Sequence, residues 1–194
     1  MSRPTADTMT LVRRAADGDD DAFRELVRRV HPDLRRWALA RTGDPDEVDE
    51  VVQRTLIAMH RALPGFAGKA RLSTWLYRIL ANAASDVHRA RTAGPERDRE
   101  PELLAAAVSD PPDPIRTVHA ERVAGTVWAL IGGLPRRQRE VMVLVDHEGR
   151  RPVDVAEMLG LKPVTVRASL FKARRAIREA VLARHPELME GYEA

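Results

Sequence analysis

Apolar residues return at steps of three and four along most of this chain. Phe23, Leu26, Val27, Val30, Leu34, Trp37 and Ala38 form the first series, the one-sided stripe of an amphipathic helix. Asp19, Asp20 and Asp21 precede it, where acids favour the positive end of a helix dipole. Thr42-Gly43-Asp44-Pro45 breaks the pattern. A second series, Val48, Val51, Val52, Thr55, Leu56, Met59 and Leu63, runs to the stop signal Pro64-Gly65. After a short loop from Phe66 to Arg71, a third helix is predicted from near Ser73, with Leu76, Ile79, Leu80, Ala83 and Val87 inward. Trp75 lies on that apolar stripe and is assigned to the core. No stretch alternates with period two, so no sheet is expected.

The pattern fails between Thr92 and Ile115. Pro95, Pro101, Pro111, Pro112 and Pro114 stand there among acids and alanines. A flexible linker is predicted, in which Leu103–Val108 offers a short helical turn. About 24 residues reach roughly 80 Å when fully extended. Helical spacing then resumes with Val123, Val127, Leu130 and Ile131 up to Gly132-Gly133. Pro135 opens a further helix carrying Val141, Met142, Leu144 and Val145, and Gly149 ends it. Two more follow, Val153–Leu159 and Val164–Val181, joined by Gly160-Leu161-Lys162-Pro163. The expected fold is all-α: two small helical domains on a flexible linker. Their bounds are 1–92, linker 93–117, 118–185 and a tail 186–194.

Composition narrows the function. The 194 residues carry 32 Lys plus Arg against 29 Asp plus Glu, a net charge of +3, and no Cys. Disulfides, thiolate metal sites and a cysteine nucleophile are excluded together. No apolar run reaches the roughly 18–20 residues that span a bilayer, and no secretory signal follows the first residues. No membrane insertion and a cytoplasmic location are expected. The front 92 residues and the segment 118–194 are each net +3, while 93–117 is net −3. Residues 161–185 hold seven basic side chains and one acid, Glu179, a local field suited to a polyanion. The six histidines are scattered, so no metal site is inferred, and nothing calls for a cofactor.

The last helix pair carries a helix-turn-helix signature. A tight crossing needs a small residue at the contact (Ala156), a residue tolerant of positive φ at the turn (Gly160), and a branched apolar residue packing back (Val166). Outside the stripe of Val166, Leu170, Ala173 and Ile177, the second helix presents Thr165, Arg167, Ala168, Phe171, Lys172, Arg174 and Arg175. Such a helix enters a major groove, with its first turns at base edges and its basic residues on phosphates. A solvated basic face is the plainer reading, but spacing, turn and charge coincide.

With these residues in view, the chain resembles the sigma-70 type sigma factors of bacterial RNA polymerase, in their compact extracytoplasmic-function (ECF) group. Gly18-Asp19 with Ala22-Phe23, Asp49-Glu50-Val51-Val52-Gln53, Leu63-Pro64-Gly65-Phe66, Ser73-Thr74-Trp75-Leu76-Tyr77-Arg78-Ile79 and Asn82 are similar to successive signatures of region 2. Leu134-Pro135, Gln138-Arg139-Glu140-Val141, Glu148-Gly149, Val155-Ala156, Leu159-Gly160, Thr165-Val166 and Lys172-Ala173-Arg174 are similar to region 4. The resemblance covers about 150 residues and omits the linker.

The resemblance implies a transcription initiation factor without enzymatic activity. Its partners would be core RNA polymerase, promoter DNA and a separate anti-sigma factor, since no sensor segment is recognisable. Asp49, Glu50, Val52, Gln53 and Leu56 would dock on the polymerase clamp helices. Lys69, Arg71, Arg78, Asn82, Asp86 and Arg89 would serve the −10 element. Thr165, Arg167, Ala168, Phe171, Lys172, Arg174 and Arg175 would serve the −35 element. Elements roughly 17 base pairs apart lie about 58 Å from each other at 3.4 Å per step, within reach of the linker.

Three positions depart from the family pattern. Arg54 replaces an acid, Arg151-Pro152 replaces a Ser or Thr cap, and Ser169 replaces an Arg. Two other readings stand beside the first. A stand-alone helix-turn-helix regulator has no need of the series from Asp49 to Asn82. An enzyme using Asp44, Asp46, Glu47, Asp49 and Glu50 lacks any accompanying His or Lys constellation or Gly-rich phosphate loop.

Overall fold

A computed structural model describes residues 6–92 and 124–186. The linker 93–117, its turn at 103–108, Val123 and the end of the tail lie outside the described residues. Among the described residues the structure is helical and holds no strand, as the periodicity predicts.

Four helices build the first module: α1 (Ala6–Ala16), α2 (Asp20–Thr42), α3 (Pro45–Ala62) and α4 (Leu72–Thr92). Asp19 caps α2 by accepting the backbone N–H of Ala22 at 2.9 Å, which satisfies one of the unpaired donors of the first turn. Gly43 ends α2 at φ 75°, a conformation that a Cβ disfavours. Asp44 then caps α3, with Pro45 in its first turn. Leu63–Gly65 adds one 3₁₀ turn before the loop to α4. Helix α1 is an addition to the elements that the pattern predicts. It buries only Leu11, Val12 and Ala15, too few apolar positions to make a periodic signal.

The second module begins with a helix described over 124–132, α5. It continues with α6 (Arg136–Met142), a π-helical turn (Val143–His147), α7 (Pro152–Leu159) and α8 (Pro163–Arg184). Arg151 gives α7 no side-chain cap, as its sequence implies. Its guanidinium instead holds Asp154 in the first turn at 2.9 and 3.0 Å, an acid placed where the helix dipole favours it.

One apolar core runs through both modules. Leu26, Leu34, Trp37, Val51, Met59, Leu76, Leu80 and Val87 of the first join Val141, Leu144, Val155, Met158 and Val166 of the second. A smaller cluster sets Ala40 at the end of α2 against Trp128, Ile131 and Val143. Helix α6 therefore packs on α2, and α7 on α4.

Candidate polymerase and nucleic-acid interfaces

Helix α3 turns Val48, Val51, Val52, Thr55 and Met59 into the core. Asp49 and Gln53 are exposed, and Glu50 and Leu56 are half-buried. Val52 is the exception among the expected polymerase contacts: its neighbours α2 and α4 bury it, because it shares the inward stripe with Val48 and Val51. The outer face instead carries Ile57, which is 47% exposed. Sequence reading missed Ile57, although an apolar residue off the buried stripe of an amphipathic helix is a signal for a contact. Asp49 pairs with Arg35 of α2. Glu50 pairs with Arg54 at 2.6 Å, so the charge-reversing residue neutralises the acid one turn before it.

Arg78, Asn82, Asp86 and Arg89 follow one another at helical spacing on α4 and are all exposed. Asp86 and Arg89 pair with each other. Lys69 is exposed on the loop before α4. Arg71 reaches the second module, where it meets Asp154 of α7 at 2.9 Å. Asp154 is held below its ordinary carboxylate value, first by Arg151 and then by Arg71. Phe66 and Trp75 meet at a tilt of 41° with ring centres 4.8 Å apart, and Trp75 packs half-buried against the core as expected.

The helix-turn-helix has the geometry that its sequence predicts. Ala156 and Val166 are buried, and Gly160 turns the chain at φ 65°. The Leu161 N–H closes the turn on the Ala156 carbonyl at 2.8 Å. Arg167, Ala168, Phe171, Lys172, Arg174 and Arg175 face outward on α8, with Thr165 half-buried at its start. Phe171 is 68% exposed and Val164 64%. Val164, Ala168 and Phe171 thus form an unburied apolar row among cations, and sequence reading missed its first member. An apolar side chain off the buried stripe of Val166 and Leu170, between Lys162 and Arg167, was the available signal. Arg174 turns back to hold Asp146 at 3.0 and 2.6 Å, which raises its pKa. Arg175 meets Glu179 at 3.2 Å. Ser169 is buried, so this departure lies on the inner side of α8.

Between the modules lies a cleft of about 280 Å³, lined by Arg41, Arg78 and Asn82 on one side and Arg136, Arg137 and Gly160 on the other. Glu140 forms its buried floor. Its Oε1 accepts from the Tyr77 hydroxyl at 2.9 Å and from Arg41 at 2.8 Å. Burial, and then the Glu140 charge, push the Tyr77 phenol well above its ordinary value. Burial works to lower the Arg41 pKa, but the Glu140 carboxylate outweighs it. Among the described residues no group of three or more His, Cys, Asp or Glu could hold a metal ion. No helix there is long and apolar enough to cross a membrane.

Comparison with known proteins agrees with this anatomy. Residues 26–93 match the family description Sigma-70 region 2, and residues 125–177 match Sigma-70, region 4. The ECF RNA polymerase sigma factor SigM of Mycobacterium tuberculosis is 34% identical over 157 residues, 81% of this chain and 76% of that protein. The RNA polymerase sigma-H factor of Pseudomonas aeruginosa is 32% identical over 178 residues, 88% and 92% of the two chains. The solved structure of CnrH in complex with the cytosolic domain of CnrY superposes with a TM-score of 0.64 at 27% identity, covering 90% of this chain and 97% of that one. The sigma factor RpoE in complex with the anti-sigma factor NepR from Bartonella quintana shares the fold, with a TM-score of 0.65 at 20% identity over 84% and 98%. Two helical modules in this order, each matching its own sigma region, settle the assignment: the chain belongs to the ECF group of the sigma-70 family of RNA polymerase sigma factors.

Proposed function

We propose that the exposed faces of α3, α4 and α8 divide the work of promoter-directed transcription initiation between them. The protein is a promoter-recognising initiation factor by family; the assignment of residues to tasks is the proposal. On α3, Asp49, Glu50, Gln53, Leu56 and Ile57 form the surface for core polymerase. On α4 and the loop before it, Lys69, Arg71, Arg78, Asn82, Asp86 and Arg89 meet the −10 element. On α8, Thr165, Arg167, Ala168, Phe171, Lys172, Arg174 and Arg175 meet the −35 element. The observation that carries this reading is the outer face of α8, where Phe171 stands exposed among cations. Basic side chains neutralise phosphates, and an apolar side chain contacts a thymine methyl in the major groove.

Strand opening follows from the same inventory. Taking a base out of the stack costs a few kcal/mol. Stacking of freed bases on protein offsets about 1–3 kcal/mol each, and the Arg78 and Arg89 charges hold the strand. The chain's part is binding and deformation of DNA, with no catalytic residue assigned to it. A separate anti-sigma partner is part of the proposal, supported by the complexes in which the related CnrH and RpoE structures were solved. With it goes a cytoplasmic location, where polymerase and promoters are. A stand-alone regulator gives no role to the region that matches Sigma-70 region 2.

The test is reconstituted transcription. Purified core polymerase with this protein should start at discrete sites on a library of genomic fragments, and sequencing the starts should return one pair of elements. Replacing Gln53 and Ile57 with Ala should abolish polymerase binding and leave −35 duplex binding unchanged. Failure of the holoenzyme to initiate on any fragment overturns the reading.

A further inference from the structure

The cleft between the modules has two lobes. The first lies between α4 and the turn of the helix-turn-helix. The second, also of about 280 Å³, opens between the end of α2, the far half of α4 and the start of α6. Arg41 and Arg136 line both, so the lobes meet at these two residues. Each lobe stands just below the range of about 300–1,000 Å³ usual for small-molecule pockets, and the joined pair falls inside it.

The charge of the cleft is one-sided. Arg41, Arg78, Arg136 and Arg137 line the first lobe against a single acid, Glu140. The Glu140 Oε1 is already bonded to Tyr77 and Arg41. The second lobe adds Arg89 and Arg139 with one acid, Glu47. Arg89 is taken up by Asp86, and Arg139 by the carbonyls of Ala40, Gly132 and Leu134. Arg78, Arg136 and Arg137 form no ion pair among the described residues. Arg41 has five N–H donors. It gives one to Glu140 at 2.8 Å and reaches Ser85 only at 3.5 Å. Burial lowers the Arg139 pKa, and the Arg136 charge lowers it further against the pull of Glu140. Positive charge thus gathers where the lobes join. Concave walls of low dielectric focus such a field, and guanidinium forks match phosphate oxygens two at a time.

The first lobe is not cationic throughout. Ala81, Met158, Leu159 and Leu161 give it an apolar wall, and Asn82 brings an amide that both donates and accepts. A bare inorganic ion has no use for such a wall, whereas a flat organic body with polar edges does. No duplex enters a cavity of this size. We propose that the cleft binds a small organic polyphosphate of the nucleotide class, its phosphates on Arg41, Arg78, Arg136 and Arg137 and its organic body against Leu159 and Leu161 beside Asn82. Occupancy withholds Arg78 and Asn82 from the −10 strand. That consequence alone rests on the reading of α4 as the −10 face; the site does not.

Isothermal titration calorimetry of the full chain, without polymerase or promoter, tests the site with ATP, GTP and inorganic pyrophosphate. At least one nucleotide should saturate a single site below about 1 mM, and should bind at least tenfold tighter than pyrophosphate. Arg136→Ala with Arg137→Ala, both at exposed positions, should weaken that binding at least tenfold while circular dichroism shows the helices intact. If that pair fails to fold, Arg137→Glu alone serves. Arg178→Ala with Arg184→Ala removes the same charge from exposed positions of α8 outside the cleft and should leave binding unchanged. The proposal is overturned if neither nucleotide saturates, if pyrophosphate binds as tightly, if both pairs weaken binding alike, or if a folded cleft variant binds as the parent does. A single-stranded oligonucleotide that outbinds the nucleotides and needs Arg136 and Arg137 as strictly would assign the cleft to DNA and overturn it too. Loss of initiation in reconstituted transcription would sink the functional reading without touching these titrations.

Discussion

The indole N–H of Trp37 donates to the carboxylate of Glu148 across 2.6 Å, and 111 positions of sequence separate the two residues. Trp37 is fully buried, and the Arg150 guanidinium lies over its ring at 5.4 Å. The acid is thus bonded to one partner and charge-compensated by the other. Trp37→Phe keeps an aromatic ring and deletes the donor. A hydrogen bond to a charged group contributes about 1.5–3 kcal/mol. The variant should lose at least that much stability, a fall of about 2–4 °C in Tm for each kcal/mol in a chain of this size. Thermal melts followed by circular dichroism measure it. An unchanged Tm would mean that the bond contributes nothing.

Two glycines with the same backbone hand predict different penalties. Gly160 has φ +65°, and a Cβ there would meet nothing within 4 Å. Gly160→Ala should therefore cost only the left-handed strain, about 1–2 kcal/mol. Gly43 has φ +75°, and a Cβ there would fall 2.5 Å from the Arg139 guanidinium. That guanidinium serves the carbonyls of Ala40, Gly132 and Leu134. Gly43→Ala adds displacement of this hub to the strain and should cost clearly more. Urea unfolding of both variants gives the ranking, and equal midpoints would refute it.

Asp33 predicts an inverted pH dependence. It is buried, pairs with Arg36, and leaves Oδ2 without a partner. Burial raises its pKa, and Glu148 adds to the rise. A raised carboxyl binds protons more tightly in the folded chain than in the unfolded one. Its contribution is therefore favourable at low pH and is lost as pH climbs from the ordinary aspartate value through the raised one. Asp33→Asn removes this loss. The variant should gain stability relative to the parent as pH rises across that window and hold the gain at pH 7. A stability difference that is flat with pH would show that Asp33 titrates alike in both states.

How much of this was legible beforehand follows from where the signal resides. Helices α2, α3, α4, α7 and α8 each repeat an apolar stripe over two turns or more, and Gly43, Pro64 and Gly160 punctuate them, so local spacing sufficed. Helix α1 offers three inward residues and no repeat. The seating of the second module on the first had no local signature. Trp37 reads as an ordinary member of its apolar stripe, and Tyr77, Glu140 and Glu148 read only as parts of the two region signatures; only the fold brings the four together. The same limit explains Val52. Its type suits either the core or an apolar contact, and its register with Val48 and Val51 decides for the core.

His147 supplies a second pH test of opposite sense. Its ring packs edge to face on Trp128, with centres 5.0 Å apart. Burial lowers its pKa, and the Arg36 charge lowers it further. The folded chain therefore prefers the neutral imidazole. Its contribution is present above the ordinary histidine value of about 6.5 and is lost as pH falls from there through the lowered one. Urea midpoints of the parent should drop over that window more steeply than those of His147→Gln. Parallel curves would refute the assignment.

The cations of α8 should separate by experiment into two kinds. Arg167 faces outward at the start of the helix, where side chains reach base edges. Arg174 lies seven residues on and is held by both oxygens of Asp146. Arg167→Ala should leave Tm unchanged, since exposed substitutions lie within about 0.5 kcal/mol. It should weaken binding of the preferred −35 sequence by about 1–3 kcal/mol while sparing scrambled sequences, the mark of a base contact. Arg174→Ala should lower binding to all sequences alike and reduce the salt dependence, because a residue engaged by Asp146 reaches DNA as a phosphate cation. Titrations of the holoenzyme on matched and scrambled −35 duplexes at two salt concentrations distinguish the two. If Arg167→Ala weakens every sequence equally, that residue is a phosphate contact and the reading of bases passes to Phe171 and Lys172.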